Sequence, residues 1–335
     1  MTDTRTAELT HAPGRLVIGK HHITPPVVLG PMAGYTNLPY RLICRRFGAG
    51  LVVSEMISAR GLQYHNRKTR TLIATSSEEK PVAVQLFGDT PEVLYNAISE
   101  IEAAGADMID LNMGCSVPKV RAANSGIDLM ADPLRAVACV SAMTEAATVP
   151  VTVKIRTGMV PGDMRYLELA PQLVDAGASA ITLHARCAQQ RLSGSADWTH
   201  IARLVEAVSV PVIGNGDLRT AQDATAMIEQ TGCTGIMFAR GALGRPWIFE
   251  QTSAALAGAP VPPDPGPHQV MQIALDHARM LAEHYDERTA THQMRGQMAH
   301  YSKGLPHALR VRRAMQAVHT LHEFELVIGA YLQSL

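Results

Sequence analysis

Several side chains able to do chemistry stand at or just after short apolar runs in this sequence. Asn112 and Cys115 lie three apart in Asp110-Leu111-Asn112-Met113-Gly114-Cys115. A cysteine placed there can be a nucleophile, a general acid, or a packing residue. Lys154 lies inside Val-Thr-Val-Lys-Ile-Arg, residues 151–156. A lysine among apolar neighbours is rarely buried without a partner, so it either faces a solvated rim or holds an anion. Gln85 sits in a third run, and His184 and Arg186 close a fourth. Two glycine-rich turns follow the last two runs: Gly214-Asn215-Gly216-Asp217, and Ala239-Arg240-Gly241-Ala242-Leu243-Gly244. Glycine lets backbone N–H groups approach a phosphate closely, and Arg240 can pair with it. After the first run, Gly30-Pro31-Met32-Ala33-Gly34 is small enough for a flat ligand to lie on the backbone.

Positioning these groups requires a repeated element. Runs rich in Val and Ile begin near Val27, Leu51, Val82, Asp107, Val151, Ala180, Val210 and Gly235, spaced 24–44 residues apart. Each interval holds one strand, one helix and two loops, so the pattern predicts a (β/α)8 TIM barrel of the α/β class. A doubly wound open sheet is the alternative. The runs are almost continuously apolar, as parallel strands covered on both faces should be. In such a barrel, function gathers at the C-terminal ends of the strands.

Taken together, the rim predicts a site for a phosphorylated flat cofactor, and flavin mononucleotide (FMN) fits it. Its phosphate would rest on Asn215, Gly216, Asp217, Ala239 and Arg240. Its ring would lie over Pro31, Met32 and Ala33, with Gln85 at the polar edge. Lys154 would face the negative charge that a reduced ring carries. Beside such a ring, Cys115 makes most sense as a proton donor, which needs its thiol protonated. Cys187 is its rival, whereas Cys44, Cys139 and Cys233 read as packing.

The rest of the chain sets the frame. Residues 1–20 read as a flexible N-terminal tail and 21–256 as the FMN-binding catalytic barrel. Within it, Thr90-Pro91 opens a helix over 91–104. The Pro- and Gly-rich stretch 257–268 reads as a linker, and 269–335 as a separate small helical domain. Thirty basic residues balance thirty acidic ones, and 47% of the residues are apolar, which excludes a disordered chain. No apolar run is long enough for a membrane helix, and the N-terminus does not read as a signal peptide. Five cysteines without a Cys-x-x-Cys pair predict reduced thiols, a cytoplasmic location and no metal site. Zero net charge gives no global pull on RNA, but a local one exists. From Arg288 to His322 there are six Lys and Arg residues and no Asp or Glu. Arg295, Lys303, Arg310, Arg312 and Arg313 belong to this patch, which reads as a surface for RNA phosphates.

Eight segments together resemble the tRNA-dihydrouridine synthase family, most closely its bacterial B-type branch. They are PMAG (31–34), GAGLVVSEM (48–56), VAVQLFG (82–88), IDLNMGC (109–115), VPVTVKIRTG (149–158), ITLHAR (181–186), PVIGNGD (211–217) and ARGALGRPWIF (239–249). They span the whole barrel in the family's order, and the helical C-terminal region fits as well. The resemblance implies reduction of uridine in RNA, tRNA above all, to 5,6-dihydrouridine. Reduced FMN, recharged by NADPH, would pass hydride to C6, and Cys115 would protonate C5. Asn112 would hydrogen-bond the uracil edge, and Arg156 and Arg186 would meet the RNA. Gln85, Lys154 and His184 would hold the flavin. A monomer is usual for the family.

Several positions depart from the family's pattern. Ser116 stands where proline is usual, Ala122 and Ala123 where basic residues are frequent, and Asp128 where a small residue is. Cys187, Leu192, Ala239, Gln297 and His300 are further departures. Most fall on the expected RNA side. They leave two alternatives: a synthase acting on ribosomal RNA, and an FMN-dependent oxidoreductase of a small pyrimidine-like substrate. A pure RNA-binding protein would give Lys154 and the two glycine turns no purpose.

Overall fold

The computed structural model describes residues 14–64 and 66–335. All eight expected runs form strands: β3 (Val27–Leu29), β4 (Leu51–Val53), β6 (Val82–Phe87), β7 (Met108–Met113), β8 (Val151–Arg156), β9 (Ala180–His184), β10 (Val212–Asn215) and β11 (Gly235–Phe238). They pair in parallel in chain order, and the β11–β3, β3–β4 and β4–β6 pairings close the ring. The short β5 (Ile57–Ser58) adds to the end of β6. This is the (β/α)8 barrel, not an open sheet.

One correction concerns the start of the chain. The expected tail over 1–20 runs into an antiparallel hairpin, β1 (Leu16–Ile18) with β2 (His21–Ile23), in which Leu16 faces Ile23. Leu16, Ile18 and Ile23 are buried in one cluster with Val28, Leu51, Val53, Ala83, Met108, Ala180, Ile213 and Met237. Those barrel residues come from the lower part of the strands, so the hairpin caps the barrel's N-terminal end. Burial of three apolar side chains, at roughly 1.5–3 kcal/mol each, is reason enough for the segment to order. Residues 1–13 of the expected tail lie outside the described residues.

Strand alternation divides the rest. Val84, Leu86, Ile109, Leu111, Val153, Ile155, Ile181 and Leu183 point outward into the main core beneath the helices. Their inward neighbours above the apolar cluster are polar: Gln85, Asp110, Asn112, Thr152, Lys154, Arg156, Thr182, His184 and Asn215. Parallel register aligns Gln85 with Asp110 and Thr152, Asn112 with Lys154 and Thr182, and Arg156 with His184 and Asn215. The interior therefore turns from apolar to polar about halfway up.

The surrounding helices carry the expected punctuation. Pro91–Ala103 is capped by the Thr90 hydroxyl, which accepts from Val93 N, and Gly105 follows it at φ +92°. The stretch after Leu256 has no regular structure until Pro267. It is nevertheless tied down, because the Asp264 carboxylate accepts from Trp247 Nε1 (2.9 Å), Gln251 Nε2 (3.0 Å) and Arg245 (3.1 Å). Four helices follow: Pro267–His284, Glu287–Tyr301, Ala308–Met315 and Leu321–Gln333. They enclose a second core around Met271, Leu281, Met294, Met298, Val311, Phe324 and Ile328, which Trp247 also enters. No helix among the described residues is long and apolar enough to cross a membrane.

The second core is docked on the barrel's upper loops. Asn37 Nδ2 donates to Gln293 Oε1 at 2.9 Å, and Tyr35 meets the His300 ring edge-on at 5.4 Å. Tyr40 packs on His277 at 5.3 Å, and its hydroxyl donates to the Ala242 carbonyl. Gly244, at φ +64°, lies so close to His300 and Tyr301 that a Cβ would strike their backbone. Gly244→Ala should therefore cost about 1–3 kcal/mol, read as a lower denaturation midpoint. Gly258→Ala is the control, since Gly258 shares the positive φ (+66°) but has open space around it. It should cost no more than about 1–2 kcal/mol, and equal losses in the two variants would mean that the close docking contributes nothing.

Candidate active site

The polar upper interior is satisfied in an ordered way. Thr152 Oγ1 donates to Asp110 Oδ1 at 2.7 Å, and Gln85 Nε2 donates to Asp110 Oδ2 at 2.7 Å. Asn112 Nδ2 donates to Gln85 Oε1 at 2.8 Å. Asn112 Oδ1 then accepts from two backbone groups, Gly114 N at 3.2 Å and Cys115 N at 2.9 Å. Asp110 is fully enclosed, and burial raises its carboxyl against the pull of these donors and of Lys154.

Cys115 opens the loop that leaves β7, and its side chain is half-buried, whereas Cys187 is enclosed at 1% exposure. Cys115 is thus the rim thiol a substrate can reach. Its carbonyl accepts from Ile127 N at 3.0 Å, which folds the loop back on itself. Gly126 makes this possible: at φ +64°, its Cα lies where a Cβ would come 2.6 Å from the Cys115 carbonyl oxygen. Asp128, one of the departures, pairs with Arg121 across this loop at 3.0 Å. The loop's other side is held by Arg156, whose guanidinium donates to the carbonyls of Gly114 (2.8 Å), Cys187 (2.9 Å) and Arg191 (3.1 Å).

Lys154 is less engaged. Its ammonium has three donors but makes one long bond, 3.4 Å to Asn215 Oδ1. Asn215 is itself fixed by donating to the Met237 carbonyl at 2.7 Å. Burial, and then the nearby Arg156, push Lys154 down to about 8, while Asp110 and Cys115 pull it back up. His184 is driven far below its usual range by burial and by Lys154, Arg156, Arg186 and Arg240, so its ring is neutral.

The glycine turns complete the rim. Gly216 adopts φ +134° and packs against Ala196 and the His184 ring. Asp217 accepts from Arg186 at 2.5 Å and from Ala196 N at 2.8 Å. Arg186 also donates to the carbonyls of Ser193 and Gly194. Arg240 is half exposed, with its guanidinium 3.8 Å from Asp217. Pro31 and Met32 are half-buried, Ala33 and Gly34 are exposed, and Gly34 N donates to Glu55 at 2.6 Å.

The structure thus gathers Cys115, Gln85, Lys154, His184, Asn215 and Gly216 at one end of the barrel, with residues 31–33 and 239–240 on the loops around it. Other expected site residues are engaged within the protein. Arg186 is 2% exposed and braces Asp217 and the 193–194 turn. Arg156 is 8% exposed and is spent on carbonyls. Both ends of the Asn112 amide are engaged inside the protein. The Asp217 carboxylate is turned onto Arg186, so only its backbone suits an anion. On the helical side, Arg295 donates to the Val318 carbonyl and Arg312 to that of Ala308. Lys303, Arg310 and Arg313 are exposed and have no acidic partner among the described residues. Arg310 and Arg313 line a shallow depression with His307 and Leu309. The sequence reading missed Asp110, Thr152 and Glu55. For Asp110 a signal existed, since a charge two residues before Asn112 on a parallel strand must share its inward face.

The chain can now be set beside known proteins. A family model described as "Dihydrouridine synthase (Dus)" matches residues 28–334. A "Probable tRNA-dihydrouridine synthase" of Mycobacterium tuberculosis is 39% identical over 328 residues, covering 93% of this chain and 84% of that protein. A "tRNA-dihydrouridine synthase B" of Pseudomonas aeruginosa is 36% identical over 296 residues, covering 88% and 89%. Among solved structures, a histamine dehydrogenase from Rhizobium superposes with a TM-score of 0.57 at 13% identity, covering 81% of this chain and 51% of that one. A 2-naphthoyl-CoA reductase gives 0.57 at 10% identity, covering 75% and 53%. These two share the fold.

The brace beneath the glycine turn can be tested without any ligand. Arg186→Met leaves Asp217 without its main partner. Breaking a fully buried pair costs about 3–5 kcal/mol, but Asp217 retains some water contact, so about 2–3 kcal/mol is expected here. Chemical denaturation reads this directly, and a loss below 1 kcal/mol would show that the pair is a surface contact in effect.

Proposed function

The chain belongs to the dihydrouridine synthase family, and from that premise we propose that it reduces uridine in tRNA to 5,6-dihydrouridine. The observation that carries this reading is the half-buried Cys115, held by Asn112 at the mouth of a polar barrel interior whose lysine is largely unspent. The cofactor proposed is FMN, with NADPH as reductant, in a monomer acting in the cytoplasm.

The residues fit such a cofactor. Lys154 has spare donors, Arg240 is free to turn from Asp217 toward a phosphate, and a neutral His184 can donate one ring N–H. Gln85 retains one amide hydrogen and one lone pair for a ring edge. The Gly34 region leaves open space where a side chain would otherwise stand. When bound and reduced, the flavin supplies the hydride to C6 of the uracil. Cys115 supplies the proton to C5. A base reaches it only when unstacked and extruded, at a cost of a few kcal/mol. The exposed Lys303, Arg310 and Arg313 would meet that cost in part through phosphate contacts.

Two experiments test the reading. The first is nucleoside mass spectrometry of separated tRNA and rRNA from a strain lacking the protein, complemented with wild type or Cys115→Ala. Dihydrouridine should vanish from tRNA and return only with the wild type. Loss from rRNA alone would move the target, and no loss from either would refute the activity. The second uses pH. The Lys154 cation is present below about 8 and lost above it. Flavin affinity should therefore fall as pH rises through that range, and Lys154→Met should flatten the dependence. An unchanged profile in Lys154→Met would place the titrating group elsewhere.

A further inference from the structure

Asp110 takes no part in the chemistry described so far, yet the hydrogen bonds behind Cys115 end on it. We propose that Asp110 is a positioning residue for Cys115, acting through the amides of Gln85 and Asn112.

The argument rests on direction. An amide side chain donates at one end and accepts at the other. Two backbone N–H groups, of Gly114 and Cys115, point at Asn112 and demand its oxygen. Its nitrogen must then donate, and the group it meets is Gln85 Oε1. That fixes Gln85 in turn, so its nitrogen must find an acceptor, which is Asp110 Oδ2. A further amide there would only pass the choice onward. A carboxylate ends it, because both of its oxygens accept, and Thr152 occupies the other one. Every proton in the series points toward Asp110, and each link is between 2.7 and 3.2 Å.

Strand geometry makes the series rigid. Gln85, Asp110 and Thr152 are register partners on β6, β7 and β8, and Asn112 is the next inward residue on β7. Gln85, Asp110, Asn112 and Thr152 are all less than 8% exposed, so water cannot readily replace a lost link. With Asp110 absent, Gln85 Nε2 has no acceptor, and nothing on that side keeps the Gln85 oxygen turned toward Asn112. A turned Gln85 would set its nitrogen against the Asn112 nitrogen, and the amide that accepts from Cys115 N would lose its support from behind.

The competing role is a counter-charge for Lys154, and a conservative variant separates the two. Asp110→Asn keeps an oxygen for Gln85 and lets its nitrogen donate to the Thr152 hydroxyl, but removes the charge. Asp110→Ala removes both. The readout is the alkylation rate of Cys115 by iodoacetamide in the purified protein, followed on the Cys115 peptide by mass spectrometry. Asp110→Ala should change that rate about tenfold, the effect of losing one buried hydrogen-bond anchor, while Asp110→Asn stays within about threefold of wild type. With tRNA as substrate, Asp110→Ala should lower kcat and leave KM nearly unchanged. Should Asp110→Ala fail to fold, Thr152→Val against Thr152→Ser repeats the comparison, with Ser restoring the wild-type rate. An unaltered alkylation rate in Asp110→Ala, or equal effects of Asn and Ala, would overturn the proposal. The kinetic arm rests on the proposed activity. The alkylation arm does not, so failure of one is distinguishable from failure of the other.

Discussion

The constraint that governs this barrel is the change of its interior from apolar to polar between one inward layer and the next. Below the boundary, Val28, Met108, Ile213 and Met237 fill the space with the hairpin's Leu16 and Ile18. Above it, side chains that would be costly to bury alone share a narrow volume. Almost all of them are paired within the protein. Asp110 takes two donors, Asn112 engages both ends of its amide, and Arg156 and Arg186 are spent on carbonyls and on Asp217. Lys154 stands apart with a single 3.4 Å contact. A half-buried cation with spare donors is stabilised beside an anion and costly to hold there without one. The unspent group marks the ligand's place better than the polar surroundings do.

Charge sorts the two sides of the same layer. Burial first, and then four cations, Lys154, Arg156, Arg186 and Arg240, keep His184 neutral. Asp217 lies on this side as well, which would oppose a phosphate if its carboxylate faced outward. Its contacts with Arg186 and Ala196 N turn it away and leave the turn's backbone for an anion. On the proposed reading, Arg186 would serve the cofactor side indirectly. Removing it would free a negative charge in the worst location.

Fold and site differ in how far they could be read from the sequence. The eight barrel strands were legible because both faces are covered and the runs are nearly all apolar. The β1–β2 hairpin was not, because its second strand, His21–Ile23, holds a single apolar residue and forms no run. Cys115, Lys154 and the glycine turns were legible as groups that need a reason to be where they are. The direction of the two arginines was not legible, for a physical cause. An arginine two residues past an inward strand position can reach out to a ligand or back to a carbonyl, and its identity does not say which. Arg156 and Arg186 reach back. Asp110 escaped notice because its partners are two amides and a hydroxyl from three strands, which adjacency in sequence cannot reveal.

The helical region is joined to the loops that make the site and to the barrel helix Leu38–Arg46 that follows the first of them. Asn37, Tyr35 and Tyr40 follow the 31–34 turn, where a ring would lie, and they meet Gln293, His300 and His277. Tyr40 also reaches Ala242, and Gly244 abuts His300 and Tyr301, both beyond the Arg240 turn. The helix that carries most of these contacts, Glu287–Tyr301, leads directly into Lys303 and the exposed Arg310 and Arg313, while His277 lies on the preceding helix. On the proposed reading, an RNA held on that surface would be set in register with the loops proposed for the ring and the phosphate through a few close contacts. Two of the departures from the family's pattern, Gln297 and His300, lie on this helix. His300 is one of the contacts themselves, so changes in RNA preference can arise at the junction without altering the groups that hold the cofactor.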